Sequence, residues 1–357
     1  MNELKRKRES SGFTLLELLV AMALTVIILT MGAQLYKGAS GATSLLVARA
    51  EMQQNARAAI NSITRELSIA GTGIPSGGIQ LPDGTGSSPP RFACDSTTCY
   101  IASNTFLNAR LYAVMPGFQK GLTVGPNTTS IVTIAFVDSS LALNAQPLTH
   151  FTPSGSQITF DPSTPGIADP AVGLKVGDLI MVYNTNGAAL GSITNLPNAN
   201  KANLAASDTL NINQPSADHG NIANILSGGT AATLPTSAVR INLVTYFLQP
   251  DPGPDGAVGT SDDGAPRLMR QVNSSAPIPV AENVQNLQFS YDIFDESTST
   301  ATSDLGDANL QYNQIRKVNI TVTVRSPRRD PQTGQFQSIT LATSVSPRNL
   351  SFRDRYQ

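Results

Sequence analysis

The sequence of 357 residues has no tryptophan, only two cysteines and only two histidines. Two cysteines are too few for a disulfide-rich small domain or a four-cysteine zinc site, and two histidines leave little material for His-based catalysis. Charged residues make up 14% of the chain, with 24 Lys and Arg against 25 Asp and Glu. Because a nucleic-acid partner needs a strongly basic surface, this balance disfavours one, and the composition as a whole indicates a protein that is not an enzyme.

One long apolar run is present, near the N-terminus, directly after a basic cluster at residues 5–8. From Phe13 to Leu35 it contains a single ionisable residue, Glu17. As a helix with a rise of 1.5 Å per residue, this run is about 35 Å long, which is enough to cross a bilayer. Because basic residues stay in the cytoplasm, we expect one membrane-spanning helix with its N-terminus inside and the rest of the chain outside.

Two simpler explanations of the run each leave a feature unexplained. A secretory signal peptide has a short apolar region followed by a small-x-small cleavage site. Residues 21–23, Ala-Met-Ala, offer such a site, but the apolar run continues well past it. A plain membrane anchor accounts for the length of the run but not for Glu17, because a carboxylate within an apolar span is unfavourable.

The segment Gly12-Phe13-Thr14-Leu15-Leu16-Glu17, with the basic leader before it, resembles the processing site of type IV prepilins. In that family a prepilin peptidase cuts after the glycine and methylates the new N-terminal amine. The resemblance implies that residues 1–12 are a cleaved leader, that Phe13 becomes the N-methylated first residue, and that Glu17 is the fifth. In a filament, Glu17 would neutralise the Phe13 ammonium of a neighbouring subunit, since pairing offsets the cost of burying either charge alone.

A second apolar pattern follows the run and has the spacing of one helix face. Its members recur at steps of three or four residues: Leu45, Ala48, Met52, Ala56, Ala59, Ile63 and Leu67. Polar residues such as Glu66 lie mostly off this stripe, and no proline occurs before Pro75. We therefore predict one helix from Phe13 to Ala70, in which 13–36 is the transmembrane and assembly half and 37–70 is an amphipathic half that packs on a globular head.

Beyond residue 71 the chain is rich in Gly, Pro, Ser, Thr and Asn, with short apolar runs of which the clearest alternate as strands do. The predicted strands are Arg110–Met115, Ser130–Val137, Asp178–Tyr183, Val239–Leu248, Arg267–Val272, Val284–Phe294, Ile315–Arg325 and Phe336–Val345. The sequence thus predicts an α+β protein whose long helix packs on a mainly antiparallel β-sheet head. We divide the head into a variable β-rich part, 71–235, and a C-terminal β-sheet part, 236–357.

The order of these segments resembles the PilW-like group of large minor pilins and the related minor pseudopilins of type II secretion. The matching parts are residues 64–71, 176–182, 284–291 and 346–349. Because ordinary major pilins are much shorter, the resemblance implies a low-copy subunit of a type IV pilus that helps to initiate assembly or caps and decorates the tip, where adhesion is one role. Two alternatives stay open: a minor pseudopilin of a type II secretion system, and a membrane-anchored extracytoplasmic enzyme or binding protein.

The same resemblance implies the partners and the location. The partners are the prepilin peptidase, other pilins and minor pilins bound through the N-terminal helix, the inner-membrane assembly platform, and membrane lipid before assembly. The protein would lie in the cytoplasmic membrane before assembly, with its head outside, and on the pilus at the cell surface afterwards.

Cys94 and Cys99 frame a four-residue segment of the head. Since the head is expected outside the cytoplasmic membrane, where disulfides persist, we predict that the two residues form a disulfide. A redox pair would instead have C-x-x-C spacing.

We expect that no cofactor is required. The loop that starts at Asp251 is the candidate ion site, and the candidate ion is Ca²⁺. With Asp251 as position one, Asp255 is at position five, Gly256 at six and Asp262 at twelve, followed by Asp263. This spacing is similar to that of a calcium loop. Position three is a glycine, position twelve is not glutamate and no helices flank the loop, so a solvated turn between two strands is the alternative.

Overall fold

The computed structural model describes most of the chain, and the fold is stated for these residues: 13–82, 90, 92–94, 99–101, 110–139, 143, 148–161, 166–169, 172–206, 208–214, 219–226, 235–260, 262–295, 297–306, 312–330 and 333–350.

The first helix, α1 (Leu15–Ile69), is continuous over 55 residues. It is followed by Gly71, whose φ of +78° is a left-handed conformation that glycine adopts without strain. The Gly71 N–H donates to the carbonyl of Ala135 at 2.9 Å, which ties the end of the helix to the head. The prediction of one long helix is confirmed, and its ends lie one or two residues inside the predicted ones.

The described strands and the short second helix are, in chain order, β1 (Ile79–Gln80), β2 (Phe92–Cys94), β3 (Cys99–Ile101), β4 (Arg110–Leu111), β5 (Val114–Gly117), β6 (Thr123–Val124), β7 (Asn127–Thr128), β8 (Ile131–Val137), β9 (Leu148–Phe151), β10 (Gln157–Phe160), β11 (Leu179–Asn184), β12 (Gly187–Ser192), β13 (Asn195–Asn198), β14 (Lys201–Asn203), α2 (Ile222–Ile225), β15 (Ser237–Gln249), β16 (Arg267–Val272), β17 (Ile278–Ala281), β18 (Val284–Asp295), β19 (Thr300–Leu305), β20 (Ile315–Arg329) and β21 (Phe336–Val345). Single 3₁₀ turns occur at Tyr312–Gln314 and Arg348–Leu350.

The largest sheet of the described chain has nine strands, in the order β17-β16-β15-β11-β12-β1-β4, with β8 paired to β15 and β5 paired to β8. Its strands pair antiparallel except for β1 and β12, which are parallel. The 13-residue strand β15 is its centre, because it pairs with β11, β8 and β16.

A second sheet of four antiparallel strands, β19-β18-β20-β21, forms the C-terminal part of the head. Strand β20 alternates as predicted, with Val318, Ile320, Val322 and Val324 buried between partly buried polar neighbours. The C-terminal half of α1 packs on β20 and β21 and also contacts β8 and β17. The main hydrophobic core therefore lies between α1 and the two sheets.

A second hydrophobic cluster lies on the other face of the large sheet. Strand β11 shows the division, because Leu179 and Met181 belong to the main core whereas Ile180 and Val182 belong to the second cluster. The small sheet β13-β14-β10-β9 and helix α2 cover that second face. A strand that is buried on both faces reads as a continuous apolar run, which is why β11 was recognisable in the sequence.

The predicted strand Arg110–Met115 is wrong as a single element. The chain forms β4 to Leu111 and starts β5 only at Val114, because β4 pairs with β1 whereas β5 pairs with β8. Twelve described strands were not predicted: β1, β2, β3, β6, β7, β9, β10, β12, β13, β14, β17 and β19. Each has at most six residues, so little alternation was visible in the sequence.

Candidate functional site

The N-terminal half of α1 stands clear of the rest of the described chain. Every residue from Phe13 to Ser40 is exposed, and large apolar side chains are exposed on all sides of the helix. The helix is long and apolar enough to cross a membrane. An apolar surface of this extent is stable in lipid or against other apolar helices, and not in water.

Glu17 and Thr14 cap the start of this helix reciprocally. The N–H and the hydroxyl of Thr14 donate to Oε2 of Glu17 at 3.0 and 2.9 Å, and the Glu17 N–H donates to Thr14 Oγ1 at 3.3 Å. This arrangement satisfies N–H groups that have no partner within the helix. Among the described residues no donor reaches Oε1 of Glu17, so this oxygen is available to a cation from outside the chain.

The predicted cleavage point lies at the edge of the described structure. Gly12 and the leader 1–12 fall outside the described residues, whereas Phe13 precedes the helix and is 87% exposed. Phe13 is therefore accessible to a peptidase, and cleavage between Gly12 and Phe13 stays a prediction.

The amphipathic half of α1 places its stripe against the head. The buried members are Met52, Ala56, Ala59, Ile63 and Leu67, and each is at most 3% exposed. Leu45 and Ala48, at the N-terminal end of the stripe, are only half-buried, because the head begins to cover the helix at about this level.

The prediction that Glu66 lies off the buried stripe is wrong, because this residue is only 9% exposed. Its Oε1 accepts from Arg270 on β16, at 2.8 Å from Nε and also from Nη2. One turn earlier on the helix, the Ser62 hydroxyl is 2.8 Å from the hydroxyl of Tyr246 on β15. Tyr246 and Arg270 are directly opposite each other on their two strands. Glu66 lies three residues after Ile63, and this helical spacing is the sequence signal that could have indicated its burial. Nothing in the sequence indicated its partner.

The electrostatics of these four residues follow from their burial. Burial raises the pKa of the Tyr246 hydroxyl, and the nearby charge of Glu66 raises it further. Burial lowers the pKa of Arg270, but its hydrogen bond to Glu66 and the charge of Glu66 outweigh burial and leave that pKa above its ordinary value. Both effects keep Tyr246 neutral and Arg270 charged at physiological pH.

Cys94 and Cys99 occupy opposite positions of the antiparallel pair β2 and β3. Directly opposite residues of such a pair have Cα atoms about 4.5–5.5 Å apart, which is a separation that a disulfide spans. The backbone is therefore compatible with the disulfide, and the disulfide itself stays a prediction.

The four aspartates of the candidate ion loop have protein partners. Asp251 Oδ1 accepts from Nη2 of Arg267 at 2.7 Å, and Asp255 Oδ1 accepts a backbone N–H of the loop at 2.8 Å. Oδ1 of Asp262 accepts from the Thr260 hydroxyl at 2.6 Å, and this bond holds the pKa of Asp262 below its usual range.

The last of the four, Asp263, accepts the N–H of Gly259 at 2.7 Å. Within the described part of the chain, no three His, Cys, Asp or Glu side chains are grouped so that they could hold a metal ion. The loop thus binds its own N–H and hydroxyl groups and one guanidinium, and calcium binding stays a prediction.

Comparison with known proteins adds one match, and it falls on the N-terminal segment. Residues 7–33 match the family model described as the prokaryotic N-terminal methylation motif. No curated protein and no solved structure matches the chain. The motif and the exposed apolar helix together support a type IV pilin-like prepilin, of a pilus or a pseudopilus, that is anchored in a membrane, is processed by a prepilin peptidase and associates with other pilins.

Proposed function

We propose that this protein is a minor pilin of a type IV pilus, of the PilW-like kind, and that its role is assembly and not catalysis. The observation that carries the proposal is the exposed apolar half of α1, in which the one carboxylate lies four residues after Phe13. An enzyme anchored by a plain helix would have no use for that carboxylate.

The geometry at Glu17 supports a simple assembly step. Before assembly the subunit is stored in the cytoplasmic membrane, with its head outside, and Thr14 holds one oxygen of the Glu17 carboxylate. After cleavage the new ammonium on Phe13 of a neighbouring subunit approaches the other oxygen. Because both charges lie in an apolar setting, their pairing is favoured there over exposure to lipid, and it places the two helices at a fixed offset.

The size of the head supports a low-copy position at or near the pilus tip. The described part of the head has one nine-stranded sheet, two four-stranded sheets and two hydrophobic clusters, whereas a major subunit must pack many times along a narrow shaft. At the tip the subunit would help to initiate assembly through the inner-membrane platform, and its outer surface would be free for adhesion.

The first test is the N-terminal peptide of the membrane-extracted protein, measured by mass spectrometry in cells with and without prepilin peptidase. We expect a peptide that begins at N-methyl-Phe13 only when the peptidase is present. Gly12→Val is the matched control, because its bulky side chain at the cleavage point should leave the leader intact. An uncut leader in wild-type cells, or a cut after Ala23, would refute pilin-class processing.

A second measurement separates a pilus from a secretion pseudopilus. Immunogold labelling of the head should appear at the ends of sheared surface filaments and not along their shafts. If the protein is absent from surface filaments and deletion of its gene abolishes protein secretion, the proposal of a pilus subunit is wrong and a pseudopilin of a type II secretion system is supported instead.

A further inference from the structure

The apolar stripe of α1 does not by itself determine how far along the head the helix sits. The stripe continues past the buried region, since half-buried Leu45 and Ala48 precede Met52 at the same helical spacing. If α1 slid by one turn, about 5.4 Å, Ala48 would take the place of Met52 and Met52 that of Ala56. Apolar side chains would still meet the sheets at four of the five buried positions, and Asn55 would take the place of Ala59, so hydrophobic burial alone opposes the slide only in part.

A polar cluster on the same interface does distinguish them. Ser62 and Glu66 are one turn apart on α1, and Tyr246 and Arg270 are opposite each other on β15 and β16. Both helix residues reach their strand partners at hydrogen-bond distance. The second carboxylate oxygen of Glu66 is buried and has no hydrogen-bond partner among the described residues, so the hydrogen bonds to this carboxylate come from Arg270.

A slide by one turn would break both contacts at once. Ser62 would then lie beside Arg270, which would lose its counter-charge, and Glu66 would lie at the place of residue 70, where it could not reach Arg270. A buried charge without a partner is strongly unfavourable, whereas a shifted apolar contact is not. The clamp formed by these four residues therefore adds a second restraint, beside the hydrogen bond of Gly71 to Ala135, against registers that the stripe opposes only in part.

We propose that Ser62, Glu66, Tyr246 and Arg270 are positioning residues that fix the register of α1 on the head. In the proposed filament, contacts are made by the N-terminal half of the same continuous helix. The register of α1 on the head therefore sets the distance and the orientation of the head relative to the packed N-terminal helices. This consequence for assembly rests on the proposed function, whereas the register itself does not.

The register is measured by the distance between two spin labels in the full-length protein in detergent. One label is placed at Ala42 on α1 and the other at Ser344 on β21, both at exposed positions, with Cys94 and Cys99 replaced by serine. Arg329 and Gln337, at the hairpin end of β20 and β21, line one pocket with Ser44 and Glu51 of α1, whereas Asn349, just after β21, donates to the carbonyl of Ala70. The two strands therefore run along α1, and the vector between the labelled positions follows the helix axis. The unmodified clamp should give a single narrow distance distribution.

The informative variant is Glu66→Leu combined with Arg270→Met, which removes both charges so that neither is left unpaired. We expect a broadened or second distance, displaced by up to about 5.4 Å, while the melting temperature is kept. The matched control is Asp251→Asn with Arg267→Gln, an ion pair between the loop after β15 and the first residue of β16. The control should leave the distance unchanged.

A single wild-type distance in the folded double variant would overturn the proposal. If that variant does not fold, Glu66→Gln with Arg270→Gln removes both charges but keeps polar side chains of similar length, and it must broaden the distribution. In cells, incorporation of the clamp variant into filaments should fall while leader cleavage is unchanged. Normal incorporation with a shifted distance would contradict only the consequence for assembly, and an uncut leader in wild-type protein would contradict only the proposed function.

Discussion

Removal of Arg270 alone should destabilise the head more than removal of Glu66 alone. The side chain of Glu66 is 11% exposed and that of Arg270 is 26% exposed, so Arg270→Met leaves the less solvated charge without a partner. Loss of one member of a buried pair costs about 3–5 kcal/mol. We expect a cost in this range for Arg270→Met and about 1–3 kcal/mol for Glu66→Leu, because water screens the remaining guanidinium.

The assay is urea unfolding of the full-length protein in detergent at pH 7, followed by the fluorescence of the head's tyrosines. With equal slopes, the shift in midpoint gives the change in unfolding free energy.

The ion pair of Asp251 and Arg267, in which the guanidinium is more exposed than that of Arg270, provides the scale for this comparison. Those side chains are 22% and 40% exposed, so Asp251→Asn should cost no more than about 1 kcal/mol. If Arg270→Met costs as little as Asp251→Asn, or less than Glu66→Leu, the assignment of Glu66 as a buried charge held by Arg270 is refuted.

Three further predictions concern other groups. Glu17→Gln keeps an acceptor for the Thr14 cap but removes the charge, so leader cleavage and membrane insertion should be normal while the share of protein in sheared filaments drops; equal incorporation would contradict the ammonium pairing. The raised pKa of Tyr246 means that the folded protein keeps a proton that the unfolded chain loses above about pH 10, so stability falls as pH rises further. Tyr246→Phe should flatten that fall in a plot of melting temperature against pH, and an identical slope would exclude Tyr246 as its source. Cys94 and Cys99 of exported protein should react with a thiol label only after reduction, and labelling without a reductant would exclude the disulfide.

Sequence reasoning was most successful where one physical signal dominates. The length of α1 followed from its apolar run, its stripe and the missing prolines, and β18 and β20 followed from alternation over many residues. In each of these elements the side chains that meet the core are spaced as the backbone repeat requires, so the local sequence was sufficient.

The clamp could not be predicted, because its two halves lie about 200 residues apart in the sequence: Glu66 and Arg270 differ by 204 positions. A glutamate at the edge of an apolar stripe is ordinarily solvated, and only the fold reveals that a guanidinium on β16 lies opposite. The break between β4 and β5 was missed for a related reason. Local apolarity continues through Tyr112 and Ala113, and it is the choice of different partner strands that divides the segment.

The second hydrophobic cluster has a consequence for how this head can diversify. None of its described members comes from α1, and β11, β12 and β15 contribute side chains to both hydrophobic clusters. Changes around β9, β10, β13, β14 and α2 therefore fall mainly on the cluster that does not pack on α1. The head thus has one part that packs on α1 and a second part that does not. The surface of the second part can change during evolution while the packing of the helix on the head stays the same.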